Sequence, residues 1–61
     1  MNNYNITAAT ENMKYTIIDV IRAAGAILTG VSGYGTGYYI QLDATPDQVK
    51  RINTALEEIL A

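Results

Sequence analysis

The spacing of hydrophobic positions changes period along the chain, and each change marks an element. From Tyr4 to Ala9 it alternates, with Tyr4, Ile6 and Ala8 on one side and Asn5, Thr7 and Ala9 on the other; a period of two predicts a short strand. From Met13 the apolar residues Met13, Ile17, Val20, Ile21, Ala24 and Leu28 fall at i, i+4, i+7 and i+8, the stripe of an amphipathic helix. Thr10 is its expected N-cap, with Glu11 placed to favour the positive end of the helix dipole. Gly25 and the β-branched residues after it predict an end near residues 24–26.

Two further strands are predicted over Ile27–Ser32 and Tyr38–Asp43. Gly33-Tyr34-Gly35-Thr36-Gly37 joins them, a turn able to reach the positive φ that hairpins demand. Thr45-Pro46-Asp47-Gln48 then combines an N-cap threonine, proline at the first helical position and the reciprocal glutamine of a capping box. Val49, Ile52, Leu56, Ile59 and Leu60 supply the buried stripe of this second helix. Asp47 and Arg51 stand four apart with the acid first, a pairing worth a few tenths of a kcal/mol on an exposed helix.

The order is therefore β-α-β-β-α, an α+β class. It predicts one domain over residues 1–61 with no linker or repeat: a three-stranded antiparallel sheet, two helices on one face, completed by homodimerisation. This order, with a helix of the Thr-Pro-Asp-Gln-Val type after the hairpin, resembles the ferredoxin-like and ACT-like small-ligand modules over most of the chain. Those modules close with a fourth strand, whereas this sequence reaches Ala61 directly after its second helix. The resemblance implies that the first strand lies at an open sheet edge, which a second copy could cover. Stacking of two sheets through the face without helices is the alternative. Either gives a two-fold dimer, the commonest oligomer.

Size adds to that expectation. A chain of 61 residues removes only about 60% of its unfolded surface from water, and domains this small usually need a staple. The absence of Cys and His takes away disulfides and the usual zinc ligands, which leaves self-association. The hydrophobic share of 49% is high for so little interior.

Charge narrows the partners. A net charge of -2, with Lys14, Arg22, Lys50 and Arg51 the only basic residues, is unsuited to binding nucleic acid through phosphate contacts. The uncharged N-terminus, with no apolar run behind it, predicts no signal peptide, and no stretch approaches the roughly 20 apolar residues of a membrane span. A cytoplasmic protein is the expected setting, in which the Asn5-Ile6-Thr7 glycosylation pattern carries no meaning.

Catalysis is not indicated. Without His, nucleophilic activation of a Ser or Thr lacks its commonest base, and nothing in the spacing of Lys14, Lys50 and Ser32 brings them together. Glu11, Asp19, Asp43, Asp47, Glu57 and Glu58 do not form the alternating ligand pattern of a calcium loop, so no metal or other cofactor is expected. Asp43 and Asp47 flank the second helix, where negative charge is stabilising for structural reasons.

One stretch stands apart. Residues 30–39, Gly-Val-Ser-Gly-Tyr-Gly-Thr-Gly-Tyr-Tyr, hold four of the five glycines and three of the five tyrosines. Glycines let backbone approach a ligand and turn N–H groups toward an anion, while tyrosine offers a flat face with a hydrogen-bonding tip. Ser32, Gly33, Tyr34, Gly35, Thr36, Gly37, Tyr38 and Tyr39 are thus the candidate ligand-binding residues for a nucleotide-like molecule. The same residues also make an ordinary hairpin. Neither a phosphate-loop ending nor a dinucleotide fingerprint is present. Arg22, on the polar side of the first helix, is either a phosphate contact or a partner for Asp19. Tyr38 and Tyr39 must point to opposite sides of the sheet, and Tyr4 is a candidate to join the outward one. Such aromatics resemble the stacking platform of RNA-recognition motifs, but the basic residues of that signature are missing.

Two functions fit. The first is a non-enzymatic binding protein that encloses a small nucleotide-like ligand at a dimer boundary. In size and character the chain resembles phage-encoded sponges that sequester nucleotide immune signals of the ADP-ribose type. The second is an interaction module or inhibitor that docks on a larger host protein through its sheet edge or open face. A regulatory amino-acid sensor of the ACT kind is less consistent, because such modules are usually appended to enzymes.

Overall fold

The computed structural model describes residues 2–34 and 37–60, with Tyr34 and Leu60 described by their backbone alone. Five elements follow one another: β1 (Asn2–Ala8), α1 (Glu11–Ala23), β2 (Ile27–Tyr34), β3 (Gly37–Ala44) and α2 (Pro46–Leu60). Both helices begin on the expected caps. The Thr10 side chain accepts from the Met13 N–H at 3.2 Å. At α2 the Thr45 N–H donates to Gln48 Oε1 at 2.9 Å and the Gln48 N–H to Thr45 Oγ1 at 3.2 Å, which closes the reciprocal box.

Helix α1 stops where glycine permits. Gly25 has φ +81°, its N–H donates to the Arg22 carbonyl at 3.1 Å and the Ala26 N–H to that of Ile21 at 3.2 Å. This is the paired arrangement of a Schellman cap. Leu28, which continues the helical spacing in the sequence, is therefore not part of α1. It lies in β2 opposite Leu42, because the positive φ at Gly25 breaks the helix before its stripe is exhausted.

The sheet order is β1-β3-β2, with β3 in the middle and antiparallel to both neighbours. Tyr4 faces Leu42 and Ile6 faces Ile40 across β1 and β3; Val31 faces Ile40 across β3 and β2. The register of β2 slips between Leu28 and Gly30, so Thr29 is the extra residue of a bulge, a common feature of edge strands.

Both helices cover the same face. Helix α1 touches all three strands and α2, while α2 packs on α1 and β3. Between them and the sheet lie the buried residues Ala8, Ile17, Val20, Ile21, Ile40, Leu42, Ala44 and Ile52. Strand β3 contributes three of these, as its central place requires. On α2 the expected stripe is correct for Ile52, with Val49 and Leu56 packed beside it. It fails at Ile59, which is 54% exposed; Leu60 lies outside the residues whose side chains are described.

No helix among the described residues is long and apolar enough to cross a membrane.

Candidate functional site

The glycine and tyrosine stretch forms the end of the β2–β3 hairpin, and its strands run further than the sequence suggests. Gly33 pairs with Tyr38 and Tyr34 with Gly37, so three of the five expected turn positions belong to the ladder. Gly35 and Thr36 lie outside the described residues. Gly33 holds φ +142°, and a Cβ there would stand 2.4 Å from the Gly37 carbonyl oxygen and 2.6 Å from Tyr38 Cα. The backbone pair closes only because residue 33 has no side chain.

Strand alternation divides the stretch between two faces. Tyr38 points to the helix side, half-buried against the core. Tyr39 points to the other side and is 58% exposed. Beside Tyr38, on the first turns of α1, Lys14 Nζ stands 4.8 Å from the Tyr38 ring centroid and 4.6 Å from that of Tyr15, within cation–π range of both. The Tyr15 hydroxyl donates to Glu11 Oε1 at 3.2 Å, which fixes the outer wall of this cluster. Lys14 is the member that sequence reading left out. Its signal was the i, i+1 neighbour Tyr15, but its nearness to Tyr38 depends on how α1 crosses the sheet.

The open face is ranked in rows across the strands. Thr7, Tyr39 and Ser32 form one row, Asn5, Gln41 and Gly30 the next, and Asn3, Asp43 and Ile27 the third. It is polar and carries one charge, on Asp43, whose Oδ1 accepts from Asn3 Nδ2 at 3.2 Å. An antiparallel sheet can present such a face to water, with Ile27 and Tyr39 the exposed apolar side chains on it among the described residues. Tyr4 does not join Tyr39: it faces Leu42 on the helix side, which leaves Tyr39 as the one aromatic side chain described on the open face and removes the stacking platform. The platform expectation placed Tyr4 on the face opposite to that of its own apolar partners Ile6 and Ala8.

Arg22 lies in the last turn of α1. That end of the helix adjoins the start of α2, where Gln48 Nε2 donates to the Gly25 carbonyl at 3.1 Å; the hairpin end adjoins the first turns of α1. Arg22 and the glycine and tyrosine stretch therefore occupy opposite ends of the molecule. The Arg22 charge suits the C-terminal end of the helix dipole instead.

Further concavities lie elsewhere among the described residues. A depression of about 570 Å³ on the outer side of α2 is lined by Asp47, Lys50, Arg51, Thr54 and Glu58 and mixes both signs of charge. A cleft of about 210 Å³ lies between β1 and α2, lined by Tyr4, Asn5, Ile6, Leu42, Val49, Ile52 and Asn53. No group of three or more potential metal-ligating side chains occurs among the described residues. No family model matches the chain, and neither a curated protein nor a solved structure shows significant similarity to it.

Proposed function

We propose that the chain is a non-enzymatic, homo-oligomeric binder of a small ligand that is both planar and anionic, of the nucleotide class, and that it sequesters this ligand. An ADP-ribose-type signal of the kind held by phage sponges is the specific candidate. The observation that carries the reading is the Lys14 ammonium between the Tyr15 and Tyr38 rings at the hairpin end. A cation and aromatic faces meet there, next to a strand end that glycine keeps bare. Such a corner offers charge to a phosphate and a stacking surface to a base. Tyr39, Ser32 and Arg22 fall outside it, so the site is smaller than the sequence stretch and gains Lys14.

The test is a thermal-shift panel of ADP-ribose, NAD, ADP and inorganic phosphate on the wild-type chain, Lys14→Met and Tyr39→Ala. A nucleotide at 100 times its Kd adds about 2.7 kcal/mol, which is roughly 10–20 °C in a domain of this size. Lys14→Met is expected to abolish most of that shift and Tyr39→Ala to leave it. A panel without any shift, or one lost only in Tyr39→Ala, refutes the proposed site.

The second reading, docking on another protein, is favoured by a different observation: β1 is an exposed edge strand.

A further inference from the structure

The two edges of the sheet differ in kind. Strand β2 carries a bulge at Thr29 and glycines at 30 and 33, devices that interrupt an edge and make it a poor template for another strand. Strand β1 has none of them. Its seven residues, Asn2–Ala8, contain no charge, proline or glycine and pair with β3 in unbroken register. Alternate N–H and C=O groups along it point away from β3, toward the open edge.

A cleft opens between this edge strand and α2. The β1–α2 cleft exposes the helix-side faces of Tyr4 and Ile6, which are only half-buried, beneath Val49 and Asn53 of α2. Its volume of about 210 Å³ is below the roughly 300–1,000 Å³ of sites for drug-sized ligands, but it can admit the side chains of an added strand. On the opposite face the exposed Tyr39 and Ile27 are separated by the row of Asn5, Gln41 and Gly30.

We infer that the β1 edge is the homodimer seam, with β1 of two copies pairing antiparallel about a two-fold axis at Asn5 to form one continuous six-stranded sheet. This rests on the homo-oligomeric part of the proposed function and not on its ligand. The sequence of β1 selects a second copy as its occupant. Antiparallel partners share a face, so like-facing residues meet only where their numbers sum to an even value. The register that pairs the whole strand sums to ten. It sets Tyr4 against the partner's Ile6 on the helix side, an aromatic–β-branched pair of the stabilising kind. On the open side Asn5 meets the partner's Asn5, and Asn3 the partner's Thr7. No like charges oppose anywhere along the seam. The partner's Tyr4 and Ile6 enter the cleft under α2, and two copies of α2 come alongside each other on one face.

Sedimentation equilibrium on the wild type, Asn5→Lys and Gln41→Lys tests this, since both positions are exposed and tolerate lysine in a monomer. The wild type is expected to dimerise. Asn5→Lys, which sets two ammonium groups opposite each other, should raise the dimer Kd about two- to fivefold at low salt, an effect that salt partly reverses. Gln41→Lys, in the middle of the open face, should leave the Kd unchanged. Amide exchange on the wild type gives a second reading that needs no variant: the outward-pointing set of β1 amides should be slow in the dimer and become fast on dilution, while the set bonded to β3 stays slow. A wild-type monomer at submillimolar concentration overturns the seam. So does a dimer dissociated by Gln41→Lys alone, or one whose outward β1 amides stay fast. Because the thermal-shift panel reports on the hairpin corner, failure of the ligand reading and failure of the seam are separately visible.

Discussion

At the scale of single residues, glycines that look alike in the sequence do different work. Gly33 sits at φ +142° with backbone of Gly37 and Tyr38 inside the volume of a Cβ, and backbone cannot swing aside as a side-chain tip can. Among the described residues a Cβ at Gly37, across the same ladder, would meet the Ala8 carbonyl oxygen at 3.8 Å, an ordinary contact. Gly33→Ala should therefore cost at least ~2 kcal/mol, from a backbone region nearly closed to other residues together with the forced shift. Gly37→Ala should fall within about 0.5 kcal/mol of wild type, as surface changes without such strain do. Urea denaturation of the two variants reads the difference directly, and equal losses would contradict the geometry. The sequence marks both residues as turn glycine; the positive φ of Gly33 and the backbone crowded against it separate them. The two tyrosines that follow were legible, because alternation along one strand needs no knowledge of the others. Lys14 was not, since its distance to Tyr38 depends on the crossing of α1 over the sheet.

At the scale of elements, the start of α2 shows what local chemistry encodes and what it leaves out. The four residues Thr45-Pro46-Asp47-Gln48 contain the whole capping box, and the box forms as written. The same Gln48 also spends its Nε2 on the Gly25 carbonyl, 23 positions away in sequence. That bond ties the C-terminal cap of α1 to the N-terminal cap of α2. No spacing rule reaches across such a separation. Gln48→Ala removes both roles and is expected to cost about 1–2 kcal/mol. Gln48→Glu keeps the acceptor for the Thr45 N–H and gains about 0.3–1 kcal/mol from the helix dipole, but it has no donor for Gly25 and turns a carboxylate toward that carbonyl. Its stability should fall between wild type and Gln48→Ala. A Glu variant more stable than wild type by that dipole gain in chemical denaturation would show that the inter-helix tie contributes nothing. The two ends of α1 differ in kind: Thr10 marks its start, whereas the spacing of its stripe runs on into Leu28, and Gly25 with the β-branched residues after it marks the end near residues 24–26 where the helix stops.

At the scale of the whole molecule, the element order and the core face followed from periodicity, but the division between covered and uncovered surface did not. Ile59 continues the stripe of Ile52 and Leu56 yet is left exposed, because that depends on how far the layers overlap, whereas Tyr4 lies on the helix side as its alternation with Ile6 and Ala8 requires. The covered part is small. Five large side chains, Ile17, Ile21, Ile40, Leu42 and Ile52, are fully buried, and native domains hold only about 0.05–0.15 kcal/mol per residue. For this length that is roughly 3–9 kcal/mol. Ile40, in the central strand, touches the problem most directly. Ile40→Val should cost about 0.5–1.5 kcal/mol and leave the chain folded, whereas Ile40→Ala should cost about 2–5 kcal/mol, a large share of the total. If β1 pairs with a second copy, part of that loss is recoverable by mass action, because association stabilises only the folded chain. At a total chain concentration 100 times the dissociation constant about 7% of the folded chain stays monomeric, which returns roughly 1.6 kcal/mol per chain. The circular dichroism of Ile40→Ala should then rise toward the wild-type signal as protein concentration increases and decay on dilution. A folded fraction independent of concentration would mean that the monomer carries its whole stability within its own two layers.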